Sequence, residues 1–194
     1  MDITSRQLEI IEAAGKILTS SGVSGLTIKN LAKEMHFSES AIYRHFNSKE
    51  EIIIAMLDYL AEIIDERLQN AILTNDGPEE KFTAIFQSQF SFFENNRHFV
   101  VAVFSDGLLK ESQSINEAIL KLIGVKIKYL FPILMEGQQM GVFTNTIPTE
   151  DLMYILMGTF RLHMFRWRLE DFEFNIQLSG NKMIQSVLTL LKNK

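Results

Sequence analysis

The sequence predicts an all-α protein of about nine helices. Three observations carry that expectation. Apolar residues recur at spacings of three and four along most of the 194 residues, and no segment sustains the period-two alternation of a strand. Only three prolines interrupt the chain. Ser, Thr, Asn and Gly stand where the apolar stripes begin and end, as helix caps do.

Taken in order, Leu8, Ile11, Gly15 and Leu18, with Ile10, Ala14 and Ile17 beside them, predict an amphipathic helix over 4–21. Gly22 closes it. Thr27 then caps a helix from Ile28 to Met35, His36-Phe37 form a turn, and Ser38 caps a helix from Glu39 to Phe46. Asn47-Ser48 break the pattern, and Ser48 caps a helix from Lys49 to about Leu73. The run Asn75-Asp76-Gly77-Pro78 is the first strong punctuation. Helices follow to about Asn95, from Arg97 to Asp106, and over 113–140 with a kink expected at Pro132. Gly141 ends that helix. Thr149, after Pro148, caps one running to about Glu170, and the last helix occupies roughly 176–192. Two regions are expected: a helix-turn-helix domain over 1–48 and a larger helical domain over 49–194, with 49–73 as the linking helix.

Two short helices joined by a tight turn, the second carrying polar side chains near its own N-terminus, are the layout of a helix-turn-helix. Ile10, Ile11, Ala14 and Leu18 would form its core with Ile28, Leu31, Met35, Phe37, Ala41, Ile42 and Phe46. Ser38, Glu39, Ser40, Tyr43 and Arg44 would then face outward. Arg44 suits a guanine edge or a phosphate, and the Tyr43 hydroxyl suits a phosphate. Thr27 sets a hydroxyl and backbone N–H groups at a helix start, where an anion is favoured. Lys49 opens the fourth helix and can clamp a nucleic-acid backbone. The alternative is a three-helix packing unit that binds nothing.

The fragment Tyr43-Arg44-His45-Phe46-Asn47-Ser48-Lys49 resembles the signature of TetR-type (TetR/AcrR-like) transcriptional regulators, tightly over residues 6–57 and beyond that only in helical layout. The resemblance implies that Tyr43, His45 and Lys49 touch phosphates, while Ser38, Glu39, Ser40 and Arg44 face bases. It also implies an effector cavity in the C-terminal domain and a four-helix bundle of paired final helices between two subunits. One departure is His36, where the family usually has Gly; His tolerates a left-handed backbone, though less readily.

Thirteen of the fifteen Phe residues lie at or beyond Phe82. Phe86, Phe90, Phe93, Phe104, Leu108, Phe131 and Met135, with His163, are the candidate effector-pocket residues. A Phe/Met-rich helical interior is either plain core or the wall of a site for an apolar molecule. Residues 152–167 are apolar nearly all round, and 183–191 carry a second stripe. Leu156, Phe160, Met164, Trp167, Met183, Val187 and Leu191 are therefore the candidate dimer interface. A two-fold dimer implies a roughly palindromic operator in double-stranded DNA.

Composition narrows the alternatives. Net charge is −5, yet residues 1–50 balance six Lys/Arg against six Asp/Glu, so DNA binding must rest on a few placed cations and N–H groups. With no cysteine, there is no disulfide, thiolate zinc site or cysteine nucleophile. The four histidines lack metal-ligand spacing, and neither a phosphate loop nor a nucleophile elbow occurs. No metal, cofactor or enzymatic activity is expected. Without a signal-peptide core or a membrane-length apolar run, a cytoplasmic protein is expected. The reading is thus a homodimeric regulator, a repressor released by a small apolar or amphipathic effector. The alternatives are a DNA- or protein-bound adaptor without an effector and, last, an all-helical enzyme.

Overall fold

A reciprocal cap starts the first helix, α1 (Ser5–Gly25). The Thr4 hydroxyl accepts from the Gln7 N–H at 3.3 Å, and Gln7 Oε1 accepts from the Thr4 N–H at 3.1 Å. The computed structural model describes residues 3–104, 108 and 112–192. Gly22 interrupts α1 at φ 66°, a left-handed conformation that a Cβ would oppose, where the sequence placed the helix end. α2 (Ile28–Glu34) and α3 (Glu39–Tyr43) are capped by Thr27 and Ser38, whose hydroxyls accept from the N–H groups of Asn30 and Ala41. His36, between them, has φ 56°. α3 is shorter than expected. It stops at Tyr43 because the Ile42 carbonyl takes the N–H groups of both His45 and Phe46, which tightens the chain into a turn.

α4 (Lys49–Leu73) opens on Ser48, whose hydroxyl accepts from the Glu51 N–H. α5 (Pro78–Asn95) has Pro78 in its first turn, where a missing N–H costs nothing. After a single 3₁₀ turn at Arg97–Phe99 comes α6 (Val100–Phe104); the expected end of that helix at Asp106 lies outside the described residues. α7 (Gln113–Gln139) continues as helix through Pro132, giving up the bond that an N–H there would make to the Lys128 carbonyl. α8 (Thr149–Leu169) is preceded by Pro148 at the cap position; the Thr149 hydroxyl, expected to cap, donates instead to Gln138 Oε1. Asn175 caps α9 (Ile176–Leu191), its side-chain oxygen accepting from the Leu178 N–H. The protein is all-α, and among the described residues the only strand-like pairing is one bridge between Phe143 and Lys192.

Packing divides the chain into two units, residues 1–62 with 98–122, and residues 63–97 with 123–194. In the first, Ile10, Ile11, Ala14, Leu18, Leu26, Leu31, Ile42 and Phe46 are buried together with the apolar face of α4. Just before α6, His98 and Phe99 pack on α1 where Gly15 leaves room for them. A Cβ there would stand 3.0 Å from His98 Cδ2, and the Thr19 hydroxyl donates to the His98 carbonyl. In the second unit the core is aromatic: Phe82, Phe90, Phe93, Phe143, Phe160 and Trp167 are all buried. α5 and α9 approach closely at Gly180, where a Cβ would meet the Phe90 ring at 2.4 Å.

Candidate nucleic-acid interface and helical core

Local folding presents the expected DNA-facing residues on the first unit. Thr27, Ser38, Glu39, Ser40, Tyr43 and Arg44 are exposed. Tyr43 stands out, since a tyrosine half open to water on a five-residue helix packs against little. Ser38 and Ser40 share a hydrogen bond at 2.9 Å, which orders both hydroxyls at the start of α3. His45 and Lys49 are half-buried. The Lys49 ammonium donates to the Val23 carbonyl at 3.1 Å, so one of its donors closes the end of α1. Phe37, expected in the core of the helix-turn-helix, is half-buried and carries the Arg6 guanidinium 4.9 Å over its ring.

The candidate pocket residues fall in both units. Phe104 and Leu108 are buried in the first. In the second, Phe86, Phe90 and Phe93 of α5 are buried, Phe131 is half-buried, and Met135 is exposed. Met135 therefore faces away from the core of its unit. Phe160 lies 5.5 Å from Phe86 and 5.3 Å from Phe90, ring centre to ring centre. His163, half-buried beside Phe90 and Phe174, shares a hydrogen bond of 3.0 Å with the Ser179 hydroxyl. Burial, and then the Arg166 charge, hold its imidazole below the usual histidine range. Between α5, α8 and α9 lies a narrow apolar crevice, lined by residues that include Phe82, Phe86, Met183 and Val187. It has no room for a water-sized sphere.

The residues chosen for a dimer interface need correction. Leu156, Phe160, Met164, Trp167 and Leu191 are each 4% exposed or less within a single chain. They face their own core: Phe160 packs on Phe86 and Phe90 of α5, and Trp167 on Phe172. Met183 and Val187 are half-buried along the crevice. The apolar side chains left open on α8 are Tyr154, Ile155, Leu162, Phe165 and Leu169, with Leu178 and Leu190 on α9. Along α8 they follow helical spacing through the exposed Gly158, on the face opposite Leu156, Phe160 and Trp167.

One buried cation escaped the sequence reading. Lys126 of α7 is 8% exposed, its ammonium 4.6 Å above the Phe160 ring. Burial, and secondly the Arg161 charge, push its pKa down to about 7. The signal was present: Lys126 follows Leu122 and precedes Leu130 and Ile133 at helical spacing, all buried.

Comparison with known proteins agrees with this geometry. Residues 10–56 match the family model for bacterial regulatory proteins of the tetR family, and residues 57–192 match that for the C-terminal region of YsiA-like proteins. The chain belongs to the TetR family of bacterial regulatory proteins. It is a DNA-binding transcriptional regulator whose N-terminal match coincides with α1–α3 and the start of α4. The fatty acid metabolism regulator protein of Bacillus subtilis is 20% identical to this regulator over 189 residues, 97% of each chain. The crystal structure of the transcriptional regulator FadR from Bacillus subtilis, in complex with stearoyl-CoA, superposes with a TM-score of 0.83 at 20% identity, covering 95% of this chain and 98% of that one. The nucleoid occlusion factor SlmA of Vibrio atlanticus is 24% identical over 172 residues, 88% of each chain. Among the described residues, no helix of this regulator is long and apolar enough to cross a membrane, and no group of three His, Asp or Glu is placed to hold a metal ion.

Proposed function

We propose that this protein is a homodimeric repressor that binds a palindromic operator through α3 and is released by a long-chain acyl effector. The observation that supports the DNA half is the exposed set Ser38, Glu39, Ser40, Tyr43 and Arg44 on and beside one short capped helix. On this reading Arg44 and the Ser38–Ser40 turn read base edges, while Tyr43, His45, Lys49 and Thr27 hold phosphates. Two such heads on a two-fold dimer would reach successive major grooves about 34–36 Å apart. The open apolar stripe of α8, from Tyr154 to Leu169, is the surface for the second subunit.

The effector half is supported by the phenylalanine interior of the second unit and by likeness to a regulator crystallised with stearoyl-CoA. An acyl chain entering the crevice beside Phe86 would have to displace packed side chains, because that crevice does not hold even a water. A ligand bound there would select a second arrangement of the helices, and on this reading that arrangement weakens DNA binding. Fluorescence anisotropy on a labelled operator tests this reading directly. Addition of palmitoyl-CoA should lower the DNA affinity, and coenzyme A alone should not.

Likeness to a nucleoid occlusion factor favours a second reading, a DNA-bound protein that acts without a small effector. In that case the operator complex would form and palmitoyl-CoA would leave it unchanged.

A further inference from the structure

The second unit has a polar cleft as well as an aromatic core. The cleft, of about 480 Å³, lies between the C-terminal half of α4 and the facing sides of α5 and α9, and Arg67, Gln87, Ser88, Ser91, Gln177 and Asn181 line it. That volume falls within the range of small-molecule sites. Of the described lining residues, Arg67 alone carries a charge. Its Nη2 donates to the Ser88 carbonyl at 3.0 Å, and its guanidinium stands 5.6 Å from the centre of the Phe92 ring, so α5 holds the group in place. Its Nε is buried and makes no hydrogen bond, and no Asp or Glu among the described residues forms an ion pair with it. A guanidinium held out of bulk water ordinarily meets a carboxylate or phosphate through paired N–H groups. Here the fold fixes the cation and supplies no anion.

The neutral groups of the cleft favour the same occupant. Gln87 Nε2 donates to Asn181 Oδ1 at 2.9 Å, tying α5 to α9. That bond occupies the Asn181 oxygen and leaves its amide N–H donors unspent. The Ser88 and Ser91 hydroxyls add donors that rotate to suit a ligand. Glu94, which accepts from Gln177, is not among the lining residues. Phe90 also belongs to the wall and gives it an apolar patch for a carbon skeleton. We propose that this cleft binds an organic oxyanion, a phosphate or carboxylate carried on a small polar molecule, with Arg67 as its charge partner and Asn181 as a hydrogen-bond donor. The site stands whether or not an acyl chain enters the aromatic core. A free phosphorylated or carboxylated metabolite supplies the required chemistry, and so does the coenzyme A portion of an acyl-CoA.

Isothermal titration calorimetry on the full chain, with coenzyme A, citrate, inorganic phosphate and pantetheine as probes, tests the site. Pantetheine is a phosphate-free portion of coenzyme A and serves as the neutral control. Arg67→Gln removes the charge. Asn181→Asp keeps Arg67 and its bond to the Ser88 carbonyl but sets a carboxylate in the cleft. The wild type should bind at least one of the three anions and not pantetheine, and both variants should weaken that binding about tenfold or more with helix content unchanged in circular dichroism. Coenzyme A bound with citrate and phosphate refused would assign the cleft to an acyl-CoA head; citrate or phosphate bound would assign it to a free anion. Equal affinity in the wild type and both variants would overturn the site. A loss in Arg67→Gln alone would overturn it too, since an anion indifferent to a carboxylate at position 181 does not lie in the cleft. Pantetheine bound as tightly as coenzyme A, or none of the anions bound by the wild type, would likewise overturn it.

Discussion

Lys126 makes the stability of the second unit depend on pH in a way that one substitution removes. In the unfolded chain its amine has the ordinary pKa of 10.5, and in the folded chain burial lowers this to about 7. Between those values the unfolded chain binds one proton more than the folded chain, so stability rises with pH. The full slope is about 1.4 kcal/mol per pH unit, and the gain between pH 7 and 9 is about 2 kcal/mol. Below pH 7 the folded amine is also charged and the slope disappears. Trp167 is the sole tryptophan and is fully buried in the same unit, so its fluorescence reports unfolding there. Urea titrations at pH 6, 7, 8 and 9, at one protein concentration, give unfolding free energies for wild type and Lys126→Met. Other titrating groups are common to both proteins, so the difference between the two curves isolates Lys126. The wild type should gain on the variant steadily above pH 7. Parallel curves across the whole range would refute the burial argument.

Four further outcomes are expected. Arg44→Ala should weaken binding to the operator by about 1–3 kcal/mol and leave binding to random DNA less affected, as measured by competition anisotropy; equal losses would make Arg44 a phosphate contact. Lys49→Ala should weaken binding to all sequences and flatten the dependence on salt, and it should also lower the melting temperature through the lost bond to the Val23 carbonyl. A loss confined to one sequence would contradict the phosphate role. Gly180→Ala should destabilise by about 1–3 kcal/mol, because its new methyl would lie 2.4 Å from the Phe90 ring. A gain in stability, as helix propensity alone would give, would show that α5 and α9 are free to separate. Leu162→Glu with Phe165→Glu should convert the dimer to monomer in analytical ultracentrifugation with helix content preserved; an unchanged dimer would place the interface elsewhere.

What could be read from the sequence was whatever depends on neighbours along the chain. The Thr27 and Ser38 caps, the break at Gly22 and the left-handed His36 are local chemistry, and each stands where the sequence placed it. Element ends were harder. α3 stops at Tyr43 because the Ile42 carbonyl accepts twice, and Thr149 does not cap α8 because its hydroxyl binds Gln138 eleven residues earlier. The α8 surface failed for a different reason. A helix apolar on nearly every side gives no periodic clue to which face meets its own chain, so Leu156, Phe160 and Trp167 were assigned outward although all three are buried within the chain, Phe160 against Phe86 and Phe90 of α5 and Trp167 against Phe172. Lys126 was overlooked because a lysine is taken as solvent-facing by default, although its position on the stripe with Leu122 and Leu130 placed it inward.

The most direct test of the account is selection of sheared DNA from the source genome by the purified protein, followed by sequencing, with and without palmitoyl-CoA and beside a Tyr43→Ala/Arg44→Ala variant. The account requires a small set of enriched fragments sharing a palindrome, lost in the variant and depleted by the acyl-CoA. Enrichment equal to that of the variant would contradict α3 as the reading helix, and an enriched palindrome indifferent to palmitoyl-CoA would contradict the effector switch.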